Sequence, residues 1–230
     1  MRRQFLDRPD GAATVAVVSR LCGVQAQVAS SAELAVAARQ PNPRKGDVAK
    51  NLASRKLIKT WAMRGTLHVL PATEAAAYLS LLAASRFWEK GSWQRTFATA
   101  KQIERIGQAA CTALEDAVLT REQLTEQIIS ITKDESIKKH LASGWGAVLK
   151  PLACQGLLIN GPSEGNRVTF TRPDTYLKNW RGLPDPNTAA HTSSRSPAPS
   201  FRCGSRRADA GRRSCARVAG QPKALKDPSQ

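Results

Sequence analysis

No two of the five cysteines, Cys22, Cys111, Cys154, Cys203 and Cys215, stand two residues apart. That excludes the C-x-x-C of a zinc ribbon or redox motif, and the odd number argues against a fully paired disulfide framework. Free thiols in a reducing cytosol are the reading that remains. Also missing are a Gly-rich phosphate loop, an H-E-x-x-H and a G-x-S-x-G, so P-loop, zincin and α/β-hydrolase chemistry are not indicated. No metal site and no cofactor are expected. Nothing in the chain approaches the ~18 uninterrupted apolar residues of a membrane span. Arg2 and Arg3 are followed by the polar stretch Asp7 to Gly11 where a signal peptide would need its apolar run, so a cytoplasmic protein is expected. Acidic residues are scarce: 18 Asp and Glu face 35 Lys and Arg, for a formal net charge of +17. Such an imbalance favours a polyanionic partner.

The 230 residues have a hydrophobic content of 41%, enough for a core of ordinary size. Residues 12 to 22 are apolar and short-chained, and Gly23 then offers a helix stop. Ser30 or Ser31 can cap a second helix, Ala32 to Arg39, with Glu33 in its first turn. A third helix spans Asp47 to Ser54. Leu57 to Met63 and Thr66 to Leu70 then read as two strands around Arg64-Gly65. Three helices and a hairpin are the element order of a winged helix.

An apolar helix from Pro71 or Thr73 to Ser85 should lie buried between units, and the order then recurs. Helix Lys101 to Val118 carries Glu115 and Asp116 as surface charges. Thr120-Arg121-Glu122-Gln123 is a capping box for the next helix. Ser143 caps Gly144 to Gln155, which Gly156 ends. Leu157 to Asn160 and Arg167 to Thr171 form a second hairpin. The expected fold is therefore mainly α with small β-hairpins, as tandem winged-helix domains over residues 1–98 and 99–186. From Asn187 to Gln230 the chain is Arg, Ser, Ala, Pro and Gly with few hydrophobic residues, and a disordered basic tail is expected there.

Two segments carry candidate chemistry. Leu21-Cys22-Gly23-Val24-Gln25-Ala26-Gln27 places two amides one residue apart, just beyond a helix and before Ser30-Ser31-Ala32-Glu33-Leu34. Such amides either bond neighbouring backbone or hold a water. Trp61-Ala62-Met63-Arg64-Gly65-Thr66-Leu67-His68 sets a cation and an imidazole beside a tight turn. Arg64 reads as a solvated turn residue or a phosphate contact, with Gly65 allowing close approach of the backbone. His68 reads as a core hydrogen-bonding group or a proton carrier, and Trp61 as core. Lys138, Lys139, His140 and Lys150 surround the third helix of the second unit, a face suited to phosphate or simply to solvent.

Together with Ser143-Gly-Trp-Gly-Ala-Val-Leu-Lys150, these segments resemble the AlkZ/YcaQ family of bacterial winged-helix DNA glycosylases, over roughly residues 2 to 186. In that family a Gln-x-Gln or Gln-x-Asp pair positions the attacking water. The resemblance implies this role for Gln25 and Gln27, in the Gln-x-Gln branch that acts on bulky alkyl adducts and crosslinks. It implies duplex DNA as partner, with Arg64, Gly65, His68, Lys138, Lys139 and Lys150 as DNA-binding residues. No obligate protein partner is evident. Relatives continue into further folded sequence, so the Arg/Ala/Ser/Pro/Gly text after residue 186 is expected to be a frameshifted or truncated end. The other readings are a non-catalytic winged-helix DNA-binding protein, such as a transcriptional regulator, and an inactive fragment of a glycosylase.

Overall fold

In a computed structural model, residues 4–6, 11–141 and 146–195 are described, the last four by backbone only. The first half runs α1 (Thr14–Arg20), β1 (Val24–Gln25), α2 (Ala29–Ala37), α3 (Asp47–Ala53), β2 (Leu57–Trp61), a 3-10 turn (Met63–Gly65), β3 (Leu67–Pro71) and α4 (Ala75–Ala83). After α5 (Gly91–Thr96) come α6 (Ala100–Ala113), β4 (Leu119–Thr120), α7 (Arg121–Thr132), α8 (Lys138–Leu141) and α9 (Leu149–Cys154). The last elements are β5 (Ile159–Asn160), β6 (Thr169–Thr171), α10 (Pro173–Tyr176) and α11 (Pro186–Arg195).

The repeated order expected from the sequence is present, but the hairpins are not separate. All six strands join one antiparallel sheet in the order β1-β3-β2-β5-β6-β4, and the two halves meet where Lys59 pairs with Asn160. Next to that seam Trp61 stacks on Phe170, ring centroids 5.9 Å apart and 16° from parallel. Such a pair contributes about 0.5–1.5 kcal/mol beyond its buried area. Period-2 alternation gives the sheet two faces. Leu57 and Val69 pack with α1, α2 and α3, whereas Trp61 and Phe170 join the core of the second half. Ile58, Leu70 and Ile159 face α4 through Ala75 and Tyr78. Helix α4 is accordingly buried between the halves, as its apolar surface predicts.

Several element ends differ from the sequence reading. Ser30 and Ser31 cap nothing: α2 starts at Ala29, with Val28 as an N-cap that makes no side-chain bond. Glu33 instead reaches across to α3, its carboxylate accepting from Val48 N (3.3 Å) and Ala49 N (3.0 Å). It caps a neighbouring helix rather than its own. Helix α6 stops at Ala113, so Glu115 and Asp116 follow it instead of lying on it. Both Thr99 and Thr120 close complete capping boxes, of which the sequence reading had found the second. The expected Ser143 cap lies outside the described residues. Residues Pro186–Arg195 form α11 with Ala189 fully buried, and Ser80 donates to Pro184 O at 2.6 Å just before it. The expected disordered stretch therefore opens on a helix that lies against α4 with Ala189 buried, while Pro186, Asn187, Thr188, Ala190 and His191 stay exposed. Residues 196–230 lie outside the described residues.

Gly146 passes over the Trp61 ring with φ +61, and a Cβ there would sit 2.6 Å from Trp61 Cζ2. Gly146→Ala should therefore cost about 1–3 kcal/mol, from the left-handed backbone and the overpacked ring together. A lowered urea midpoint at unchanged m-value would register it.

Candidate functional site

The position of the two glutamines follows from how α1 ends. Gly23 N–H bonds Val18 O and Cys22 N–H bonds Ser19 O, both at 2.9 Å, which is a Schellman ending. The left-handed residue in it is Cys22 (φ 56) rather than the Gly23 expected as the stop. Gly23 has a different duty. At φ +101 its missing side chain admits Leu70 Cδ2, which would stand 2.5 Å from a Cβ, and Val69 O, which would stand 3.3 Å away. The chain can thus run hard against β3 and become β1.

Pairing then fixes the side chains. Val24 sits opposite Val69 and Gln25 opposite His68, while Ala26 N donates to Leu67 O at 2.8 Å. Antiparallel partners alternate in type, so Gln25 and His68 form a non-hydrogen-bonded pair, the type that holds facing side chains closest. Val24 and Ala26 are buried; Gln25 and Gln27 both reach solvent. Burial in the packed interior, which would have ruled out a reactive role, does not occur. Gln27 Oε1 accepts from Leu67 N–H at 3.3 Å, fixing its carboxamide while leaving the oxygen's second lone pair open.

On the other side of His68 the register places Thr60. Gln25, His68 and Thr60 therefore form one row across three strands. The Thr60 hydroxyl is fully buried and has no hydrogen-bond partner among the described residues. His68, 9% exposed, has Nδ1 3.0 Å from Thr66 O. A carbonyl can only accept, so Nδ1 carries a proton. Thr60 was not legible as a member of this group, since only strand register brings it there.

Arg64 and Gly65 form the turn between β2 and β3, at φ 59 and +67. Arg64 is exposed, and Lys150 comes over the same turn, its Nζ 3.9 Å from where a Gly65 Cβ would lie. Gln25, Gln27, His68, Arg64, Gly65 and Lys150 are thus gathered around one end of β3. Lys138 and Lys139 stand on a different element. They are exposed on α8, which packs through Leu141 into the core of the second half. Their neighbour His140 has its pKa lowered by burial and then by Lys139. Trp61 is core, 5% exposed. Val28, directly after Gln27, and Leu34 on α2 are large apolar side chains left 57% and 69% exposed. Among the described residues no cluster of His, Cys, Asp and Glu could hold a metal, and no helix is long and apolar enough to cross a membrane.

Gly23→Ala should unseat β1 selectively. Hydrogen exchange should accelerate at the Ala26 and Leu67 amides, with the Phe170 amide in the second hairpin keeping its protection. Uniform loss of protection across both hairpins would contradict a local role for Gly23.

Comparison with known proteins adds to this geometry. The profile of the family described as "DNA glycosylase AlkZ-like" matches residues 18–219, so the match reaches past residue 186, where the resemblance had been expected to stop. An interstrand DNA cross-link repair glycosylase of Streptomyces sahachiroi is 45% identical over 194 residues, covering 84% of this chain and 52% of that protein. The solved structure of Streptomyces sahachiroi DNA glycosylase AlkZ has a TM-score of 0.81 and 44% identity, over 85% of this chain and 53% of that one. The chain spans about half the length of these relatives.

Proposed function

We propose, from the premise that this chain belongs to the AlkZ-like DNA glycosylase family, that it hydrolyses the N-glycosidic bond of cationic alkylated purines in duplex DNA. Gln25 and Gln27 present the water. The relative's description as an interstrand cross-link repair glycosylase makes crosslinked purines part of the proposed substrate class.

Glycosidic cleavage develops oxocarbenium-like charge on the sugar, and an ordinary base must also be protonated in order to leave. An alkylated purine already bearing positive charge departs as a neutral base, so no general acid is required. What remains is to hold a water at the anomeric carbon and to face the growing cation with oxygen dipoles. Carboxamide oxygens do both, provided that they are fixed beforehand. The observation that carries this reading is the arrangement of the pair. Two solvent-reaching glutamines lie on one side of a short strand and its continuation, with Gln27 anchored on Leu67 N–H and Gln25 opposite His68 in the strand register. With Nδ1 spent on Thr66 O, an unprotonated Nε2 would accept from the Gln25 amide NH₂ and turn its oxygen outward. Arg64 and Lys150, beside the turn, supply contacts to phosphate. Lys138 and Lys139, on a separate element, would touch backbone further along the duplex.

A non-catalytic DNA-binding protein would need the cations but not the glutamines. The test is incubation with duplex DNA carrying an N7-alkylguanine, followed by detection of abasic sites. Gln25→Ala with Gln27→Ala should reduce base release by about 100-fold or more, in line with removal of preorganised dipoles. The dissociation constant for the same duplex should stay within about threefold, under 1 kcal/mol. Sequence-selective binding to one operator with no abasic product from the unaltered chain would favour the regulator.

A further inference from the structure

A second concave surface lies at the opposite end of the same hairpin. It has a volume of about 1480 Å³, and its walls come from the start of α1, from α3, from Ala72 and Thr73 just beyond β3, and from residues 176–184. Six cations line it, Arg44, Lys50, Arg55, Lys56, Lys178 and Arg181, against one carboxylate, Asp47. Arg55 is a wall fixture: it donates to Tyr176 O at 3.1 Å and lies 4.5 Å over the Tyr176 ring. The other five are exposed and form no ion pair among the described residues. So many like charges repel one another across a shared cleft, and an isolated chain gains nothing from the arrangement. The repulsion becomes attraction once a polyanion enters.

We propose that this cleft holds the phosphodiester backbone of the duplex, as a second site distinct from the glutamines; the inference rests on the DNA-binding part of the proposed function. Its size and openness suit a strand passing through rather than a small molecule, whose pockets enclose about 300–1,000 Å³. Its place in the fold sets the spacing. Ala72 follows His68 by four residues, roughly 13 Å along an extended strand. With a rise of about 3.4 Å per nucleotide, the cleft would meet phosphates about four base pairs from the base being removed. Chain direction thus links the two sites: the hairpin turn faces the lesion and the far end of the hairpin grips the flank.

Undamaged duplex is the right probe, because its binding does not depend on base release. Fluorescence anisotropy of a short labelled duplex, titrated across about 50–200 mM salt, should give a shallower slope of log K against log salt for Lys56→Gln with Arg181→Gln. The expected change is about 1–2, at ~0.9 per phosphate contact, and Lys56→Glu with Arg181→Glu should weaken binding at least about tenfold. In parallel, saturating duplex should slow acetylation of Lys56 and Lys178 in the unaltered chain, a measurement that needs no variant to fold. Gln25→Ala with Gln27→Ala should keep the unaltered slope, which separates this inference from the catalytic one. Unchanged slopes in well-folded cleft variants would overturn the proposal. So would acetylation of both lysines undiminished by duplex, or slowed by polyglutamate and not by DNA.

Discussion

Everything at the candidate site depends on the seating of a two-residue strand, Val24–Gln25, against β3. A two-residue strand has almost no ladder of its own, so its register must be set from outside. Gly23 sets it on one side, by letting Leu70 Cδ2 approach to 2.5 Å from where a Cβ would stand and Val69 O to 3.3 Å, so that any side chain there would push Leu70 aside. Ala26 and Gln27 set it on the other, through one backbone bond and one side-chain bond to Leu67. A slip of one residue would turn both glutamines inward and Val24 and Ala26 outward, so the burial of that pair penalises the wrong register. Each buried apolar group is worth only 1–3 kcal/mol, but here that energy chooses between two arrangements rather than merely adding to stability.

The same strand, β3, is the backbone of the larger design. It pairs with β1 on one edge and β2 on the other, and β2 carries the sheet into the second half through Lys59 and Asn160. That seam is polar, with Asn160 Oδ1 buried and unpartnered and Lys59 kept below its ordinary pKa by burial. Its cohesion comes instead from Trp61 on Phe170 and from α4 beneath both hairpins. Two winged-helix patterns read in series are thus one sheet in space. Lys150, from the second half, can lie over the Gly65 turn of the first for this reason.

Element order, both hairpins and the Thr120 capping box were legible because they rest on local signals: periodicity, turn residues and side chains three apart. The glutamines stood out for the same reason, as polar residues where an apolar pattern stops. What could not be read were relations across the chain. Glu33 looks like a first-turn charge of its own helix, and only the packing of α2 on α3 turns it into a cap for Val48 and Ala49. Thr60 is an unremarkable strand threonine until register sets it beside His68. Helix α11 was hidden by composition, since a segment of Pro, Asn, Thr, Ala and Ser announces no core, yet Ala189 finds one on α4. Lys138 and Lys139, which the sequence reading grouped with Lys150 around one helix, stand on α8 while Lys150 stands on α9.

The choice of amides over carboxylates also has a physical reason in this setting. An aspartate at position 25 or 27 would oppose oxocarbenium charge more strongly than an amide dipole does. It would stand, however, beside a turn bearing Arg64 and Lys150, with Leu67 only two residues from Gly65. A carboxylate and an ammonium about 4 Å apart attract by roughly 1–4 kcal/mol at the edge of a protein. That is enough to draw those flexible side chains onto the acid and away from phosphate. A glutamine oxygen keeps its acceptor strength for water and exerts no such pull. In a chain this basic, uncharged side chains would let one end of a hairpin take both proposed tasks, holding water and contacting DNA backbone, without the two neutralising each other. Amides suffice only for leaving groups that need no proton, which ties the residue type to the proposed class of lesion.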